Sequence, residues 1–201
     1  MRAFLLIAGC LLAGVPLAHA DDVNDAFAQR LFSGVPAKPK AYACFVRVYD
    51  TDHLAKHPYQ TVNAMKLLMT SEVDSETSQP NLSFRLGLTY RSRSGAFDSS
   101  GDCMHATNEQ GRTEPRTHCS VDCDGGGVDI GLTPDNKSAM LSVEQVRIWR
   151  NNEPDGEASH SLVGGKDDKI FRLDRADLKE CSSLVTDRKE LAEIRSVSHR
   201  H

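Results

Sequence analysis

Hydrophobic and polar residues alternate most cleanly over positions 82–90, where Leu82, Phe84, Leu86, Leu88 and Tyr90 interleave with Ser83, Arg85, Gly87 and Thr89. A period of two over that length predicts a strand with one buried and one wet face. Shorter runs of the same kind predict strands over 43–49, 62–70, 96–103, 117–121, 127–132, 139–149 and 169–173. In the 139–149 run the inward parity passes from Leu141 and Val143 to Val146 and Ile148. That phase change predicts a bulge near Glu144 and Gln145. The connections 74–81, 151–159 and 164–168 are polar and rich in turn residues.

Two stretches carry a helical period instead. In 21–33, Val23, Phe27 and Leu31 recur every four residues, with acidic residues at the start and Gly34 just past the end, which predicts a short amphipathic helix. Residues 187–195 have a polar helical pattern, followed by a frayed end. Pro36 and Pro39 make the stretch after the first helix an extended linker. About eight short strands at hairpin spacing, with no crossover helix between them, predict a mainly β fold. The expected architecture is a single antiparallel β-barrel or β-sandwich with short N- and C-terminal helices.

The first twenty residues fit none of this. Arg2 supplies a positive end, residues 3–15 an apolar run, and Ala18-His19-Ala20 the small residues that a signal peptidase reads before the acidic Asp21 and Asp22. Cleavage after Ala20 is therefore expected, and with it a location in the periplasm or outside the cell. The apolar run is shorter than the roughly 20 residues that a bilayer-spanning helix needs, so an integral membrane protein is not expected. Lipoprotein processing at Cys10 is the rival, but it would leave an apolar region of residues 3–9 only. The expected organisation is a signal peptide at 1–20, a helix and linker at 21–40, a β domain at 41–181 and a polar tail at 182–201. The part beyond residue 20 is long enough for one ordinary domain with a substantial core.

Export changes how the cysteines are read, because thiols outside the cytoplasm tend to pair. Besides Cys10 the chain has Cys44, Cys103, Cys119, Cys123 and Cys181. Cys119 and Cys123 in one strand would be about 13 Å apart, beyond the roughly 7 Å that a bridge tolerates. Cys103 and Cys119 instead flank the polar connection 104–118, opposite each other at the base of a hairpin; Cys103 with Cys123 is the fallback. Cys44 opens the first strand and Cys181 follows the last. A bridge between them would close nearly the whole domain and stabilise it by about 4 to 5 kcal/mol in the chain-entropy model. Cys123 is then the odd thiol.

Charge narrows the partners. The formal net charge is −4, and the leader removes only Arg2. The basic residues are scattered, so nucleic acid is not expected as a partner. An unknown small ligand or an envelope protein is.

Candidate chemistry is sparse. His105 and His118 flank Cys103 and Cys119, a set of two nitrogens and two sulfurs to which Met104 adds a thioether suited to copper. An oxidised pair with two neighbouring histidines is the simpler reading, since ligation needs thiolates. His53 and His57 would share one face of a helical turn capped by Asp52, as in a two-imidazole metal grip, or merely decorate a surface turn. His199 and His201 could catch metal at the chain end. Residues 122–129 combine carboxylates and glycines as a calcium loop does, but with neither EF-hand nor solenoid spacing, and a glycine-rich turn or bulge explains them. There is no nucleophile elbow, phosphate loop or Cys-x-x-Cys pair, so no catalytic residue and no cofactor is assigned. Trp149, Phe45, Tyr49 and Tyr90 could line a ligand pocket or simply fill the core.

The leader, Cys44-Phe45-Val46-Arg47-Val48-Tyr49, His57-Pro58-Tyr59-Gln60, the stretch 119–127 and Ile170-Phe171-Arg172-Leu173-Asp174-Arg175 before Cys181 together resemble small uncharacterised exported (periplasmic) proteins of Gram-negative bacteria. The resemblance implies location and architecture and brings no activity. Three functions therefore stand as expectations. A non-enzymatic periplasmic ligand-binding or protein-interaction domain leads. A copper- or zinc-handling protein and a hydrolase-type enzyme without a recognisable motif follow.

Overall fold

The structure, a computed structural model, describes residues 20–34, 40–77, 79–107, 114–122, 124–151 and 160–198. The leader, Cys123, His199 and His201 lie outside the described residues. Helix α1 (Ala20–Leu31) is followed by β1 (Lys40–Val48), α2 (Thr51–Lys56), β2 (Val62–Val73), β3 (Pro80–Tyr90), β4 (Ala96–Cys103), β5 (Arg116–Ser120), β6 (Gly126–Leu132), β7 (Ser138–Arg150), β8 (His160–Val163) and β9 (Ile170–Ala176). A 3-10 helix (Leu178–Leu184) and α3 (Arg188–Ser198) complete the described chain. Every strand pairing is antiparallel, and one sheet closes in a ring: β1 to β7 pair in succession, β7 pairs with β9, and β9 returns to β1. The short β8 pairs with β7 beyond the end of β9. Among the described residues no helix is long and apolar enough to cross a membrane.

The predicted strands recur with nearly the predicted limits. The 82–90 alternation holds in three dimensions: Phe84, Leu86 and Leu88 point into the barrel, while Arg85 and Thr89 remain partly exposed on the outside. The bulge also falls where the parity shift puts it. Gly127 pairs with Gln145 and Val128 with Val143, which leaves Glu144 as the extra residue.

Side chains fill the ring. Phe45, Met65, Leu67, Phe84, Leu86 and Leu141 are at most 1% exposed and belong to one continuous core. Helix α1 closes one mouth by adding Phe27, Leu31 and Phe32 to that core. Arg175 fixes it there, donating to the carbonyls of Leu31 at 2.8 Å and Arg30 at 3.1 Å. These are terminal carbonyls of the helix, which have no partner within it. The other mouth is held by Asp168, a buried carboxylate that accepts from the Thr61 amide at 2.7 Å and from its hydroxyl, tying the β8–β9 connection to the start of β2.

A second, smaller core lies outside the barrel. Cys44 and Leu68 on the wall meet Cys181, Val185 and Ile194, so the segment after β9 is docked, whereas its polar pattern had suggested only a tail. Arg85 and Lys40 pair with the buried Glu190 of α3 at 3.0 and 3.5 Å. The Cys44–Cys181 disulfide staples this segment in place.

Candidate functional site

The second disulfide joins Cys103 to Cys119 across neighbouring strands. Both sulfurs of the copper or zinc arrangement are thereby consumed. His118 is turned to Asp129, Nδ1 to Oδ1 2.8 Å, and His105 lines a separate crevice beside Asn24 and Phe27. His53 and His57 do share one face, but the turn is capped by Asp50 rather than Asp52. Their rings stack with centroids 4.3 Å apart and 24° between planes. Nitrogen lone pairs lie in the ring plane, so stacked rings do not converge on a common ion. Among the described residues no group of three or more His, Cys, Asp or Glu side chains is placed to hold a metal. Of the 122–129 stretch, Asp122, Asp124 and Gly125 lie between β5 and β6 and residues 126–129 open β6, with Val121 N donating to Gly126 O at 2.9 Å. Gly126 has φ +67°, and a Cβ there would run into the Gln145 carbonyl, so a backbone requirement explains the glycine.

Of the four aromatic candidates, Phe45, Tyr49 and Tyr90 are buried. Burial pushes the Tyr49 phenol up to about 12; Asp168 and Asp174 add to this and Arg47 opposes it. Trp149 is different: it is half-buried and sits on the outer face of β7.

A groove of about 980 Å³ lies between α1, the β6–β7 turn and β9. Its charged groups are largely committed to the fold. Arg30 binds Asn136 at 2.8 Å and pairs with Glu114, and Arg175 caps α1. Burial would raise the Asp174 carboxyl, but the hydrogen bond from Ser138 and the pairs with Arg47 and Arg172 outweigh it and hold it below the usual range.

A smaller hollow of about 400 Å³ lies on the outer wall over β3, β4 and β7. Register assembles it: Gly87 faces Asp98, Asp98 faces Trp149, and Arg85 faces Ser100 in the next row. The docked segment supplies the remaining wall through Leu184 and Thr186. A Cβ at Gly87 would run into Leu184 Cδ2, so a glycine at this point lets the segment lie close to the sheet. Arg85 spends Nη2 on Glu190 at 3.0 Å, while its Nη1 is buried without a hydrogen-bond partner. Trp149 was among the pocket candidates in the sequence. Arg85, Asp98 and Ser100 were not, because the residues that converge here run from Arg85 to Thr186 in the chain. Set against known proteins, the chain matches no family model, no curated protein and no solved structure.

Proposed function

We propose that this protein is an exported, non-enzymatic ligand-binding domain of the bacterial envelope, and that it takes its ligand on the outer wall of the barrel at Trp149. The apolar leader, the paired cysteines and the resemblance to small periplasmic proteins support export. The filled interior argues against carriage of a ligand in the barrel lumen, a role that needs an unfilled cavity. One observation carries the site: the chain's single tryptophan, half-exposed on the outer wall, borders a hollow that Arg85, Ser100 and Thr186 also line. An aromatic wall with a few polar groups is the usual composition of a small-ligand site. Asp98 is the one carboxylate among the described lining residues, and no histidine accompanies it, so the hollow lacks an acid and base pair.

The test is a screen of chemically diverse small molecules against the purified exported protein, read by Trp149 emission. At least one class should give a saturable change. No saturable change with any class would refute the reading.

A further inference from the structure

We propose that the barrel mouth between the β3–β4 turn and the end of β7 binds a tetrahedral oxyanion, a phosphate or a phosphate monoester. The site is separate from the hollow above, because Trp149 and Arg150 are neighbours on β7 and point to opposite faces of the sheet. Phe97 is its floor. The ring is fully buried near the start of β4, and four polar groups gather round it. Arg93 and Arg150 place their guanidinium carbons 4.5 and 5.8 Å from the ring centre. Tyr90 and His160 meet it edge-on, with centroids at 5.4 and 5.8 Å. Register explains the convergence: Leu88 faces Phe97, Phe97 faces Arg150, and Ile148 faces His160. Gly95 has φ +94°, and a Cβ there would stand 2.9 Å from Arg150 Nη1, so the turn leaves room for that guanidinium.

Two exposed cations carry the inference. No carboxylate pairs with Arg93 or Arg150 among the described residues. Because both lie against one ring, their guanidinium carbons are at most about 10 Å apart, comparable with the roughly 8 Å screening length of physiological salt. They repel each other, and an anion between them relieves that repulsion. Arg91, whose Nη1 donates to the Gln60 carbonyl at 3.3 Å, adds a third positive charge to the same turn. Asp168, the carboxylate whose field reaches Tyr90, is spent on the amide and hydroxyl of Thr61, so positive charge is in excess. Guanidinium forks match the edge of a phosphate or a carboxylate. The number of donors separates the two. The Tyr90 hydroxyl has no hydrogen-bond partner among the described residues and adds a donor from the barrel side. A carboxylate is planar and carries one charge, whereas a phosphate group offers three strong acceptor oxygens and nearly two charges.

The full exported protein is titrated calorimetrically at neutral pH with inorganic phosphate and with α-glycerophosphate, and with sodium acetate at matched ionic strength. Saturable binding of at least one of the two phosphates and none of acetate is expected, and whichever phosphate binds tighter identifies the source as the free ion or an ester of it. Arg93→Gln and Arg150→Gln should each weaken that binding by about tenfold or more, as loss of hydrogen bonds to a charged group does. Arg188→Gln, which removes an exposed charge from α3 outside the barrel, should leave it within about twofold, because solvent and salt screen such charges. If the mouth variants fail to fold, Tyr90→Phe, which leaves every charge in place, should weaken binding by about threefold. Equal losses in Arg93→Gln and Arg188→Gln reduce the effect to general charge attraction and overturn the site. Acetate bound as tightly as phosphate overturns the ligand class, and no binding of either phosphate overturns the proposal.

Discussion

The two disulfides should contribute unequally to stability, and chain entropy gives the size of the difference. Cys44–Cys181 spans a sequence separation of 137 and Cys103–Cys119 one of 16. Restricting the unfolded chain by loops of those lengths contributes about 5 and about 3 kcal/mol respectively. Replacing each pair by two alanines, both on a Cys123→Ala background so that no free thiol can exchange, isolates the loop term. Cys44, Cys181 and Cys119 are buried and Cys103 is partly so, which makes any packing lost at the long bridge add to the difference rather than offset it. Guanidinium unfolding, extrapolated to water, should then show the Cys44/Cys181 variant less stable than the Cys103/Cys119 variant by about 2 kcal/mol. The long bridge also anchors the segment carrying Val185 and Ile194, whose own core is small. Amides of α3 should therefore exchange faster in that variant than those of β3. Equal losses, or a larger loss from the Cys103/Cys119 pair, would refute the reasoning.

Other perturbations test the plug and one buried phenol. Phe27→Ala should cost about 3 to 5 kcal/mol in thermal or denaturant unfolding, since Phe27 is 1% exposed at the mouth that α1 closes; the exposed Gln29→Ala should stay within about 0.5 kcal/mol of the parent. Tyr49 titrates near 10 when unfolded and about 12 when folded, so the folded state favours the protonated phenol. Its stabilising effect is complete below pH 10 and is lost as the pH rises to about 12. Denaturant titrations across that range should show a shallower alkaline loss for Tyr49→Phe than for the parent.

Much of the fold was legible because strand alternation is a local property. Strand β3 shows it best: each inward residue is apolar and each outward one small or polar, so one reading frame survives. Elements without that redundancy were missed. Strand β8 is four residues long with only Leu162 buried, too little for a period to show. The 3-10 helix places Leu178, Cys181 and Leu184 at spacing three, which is neither the strand nor the α-helical repeat. Helix α3 reads as polar because its inward face rests on Leu191 and Ile194, while the rest of its contact is the charged set around Glu190. The Cys103–Cys119 pairing could be argued from sequence because the two residues flank one polar connection at a hairpin base; the strand expected to hold Cys119 and Cys123 apart ends instead at Ser120. Cross-strand register places Trp149 beside Asp98, and no local pattern encodes that neighbour.

The claim that binding occurs outside a filled barrel is tested most directly by nuclear Overhauser contacts to the protein's side chains from a ligand that the emission screen identifies. Contacts to the Trp149 indole and the Leu184 methyls, which border the outer hollow, are predicted. Contacts to Met65, Leu67 or Leu86, which occupy the interior, would contradict the account.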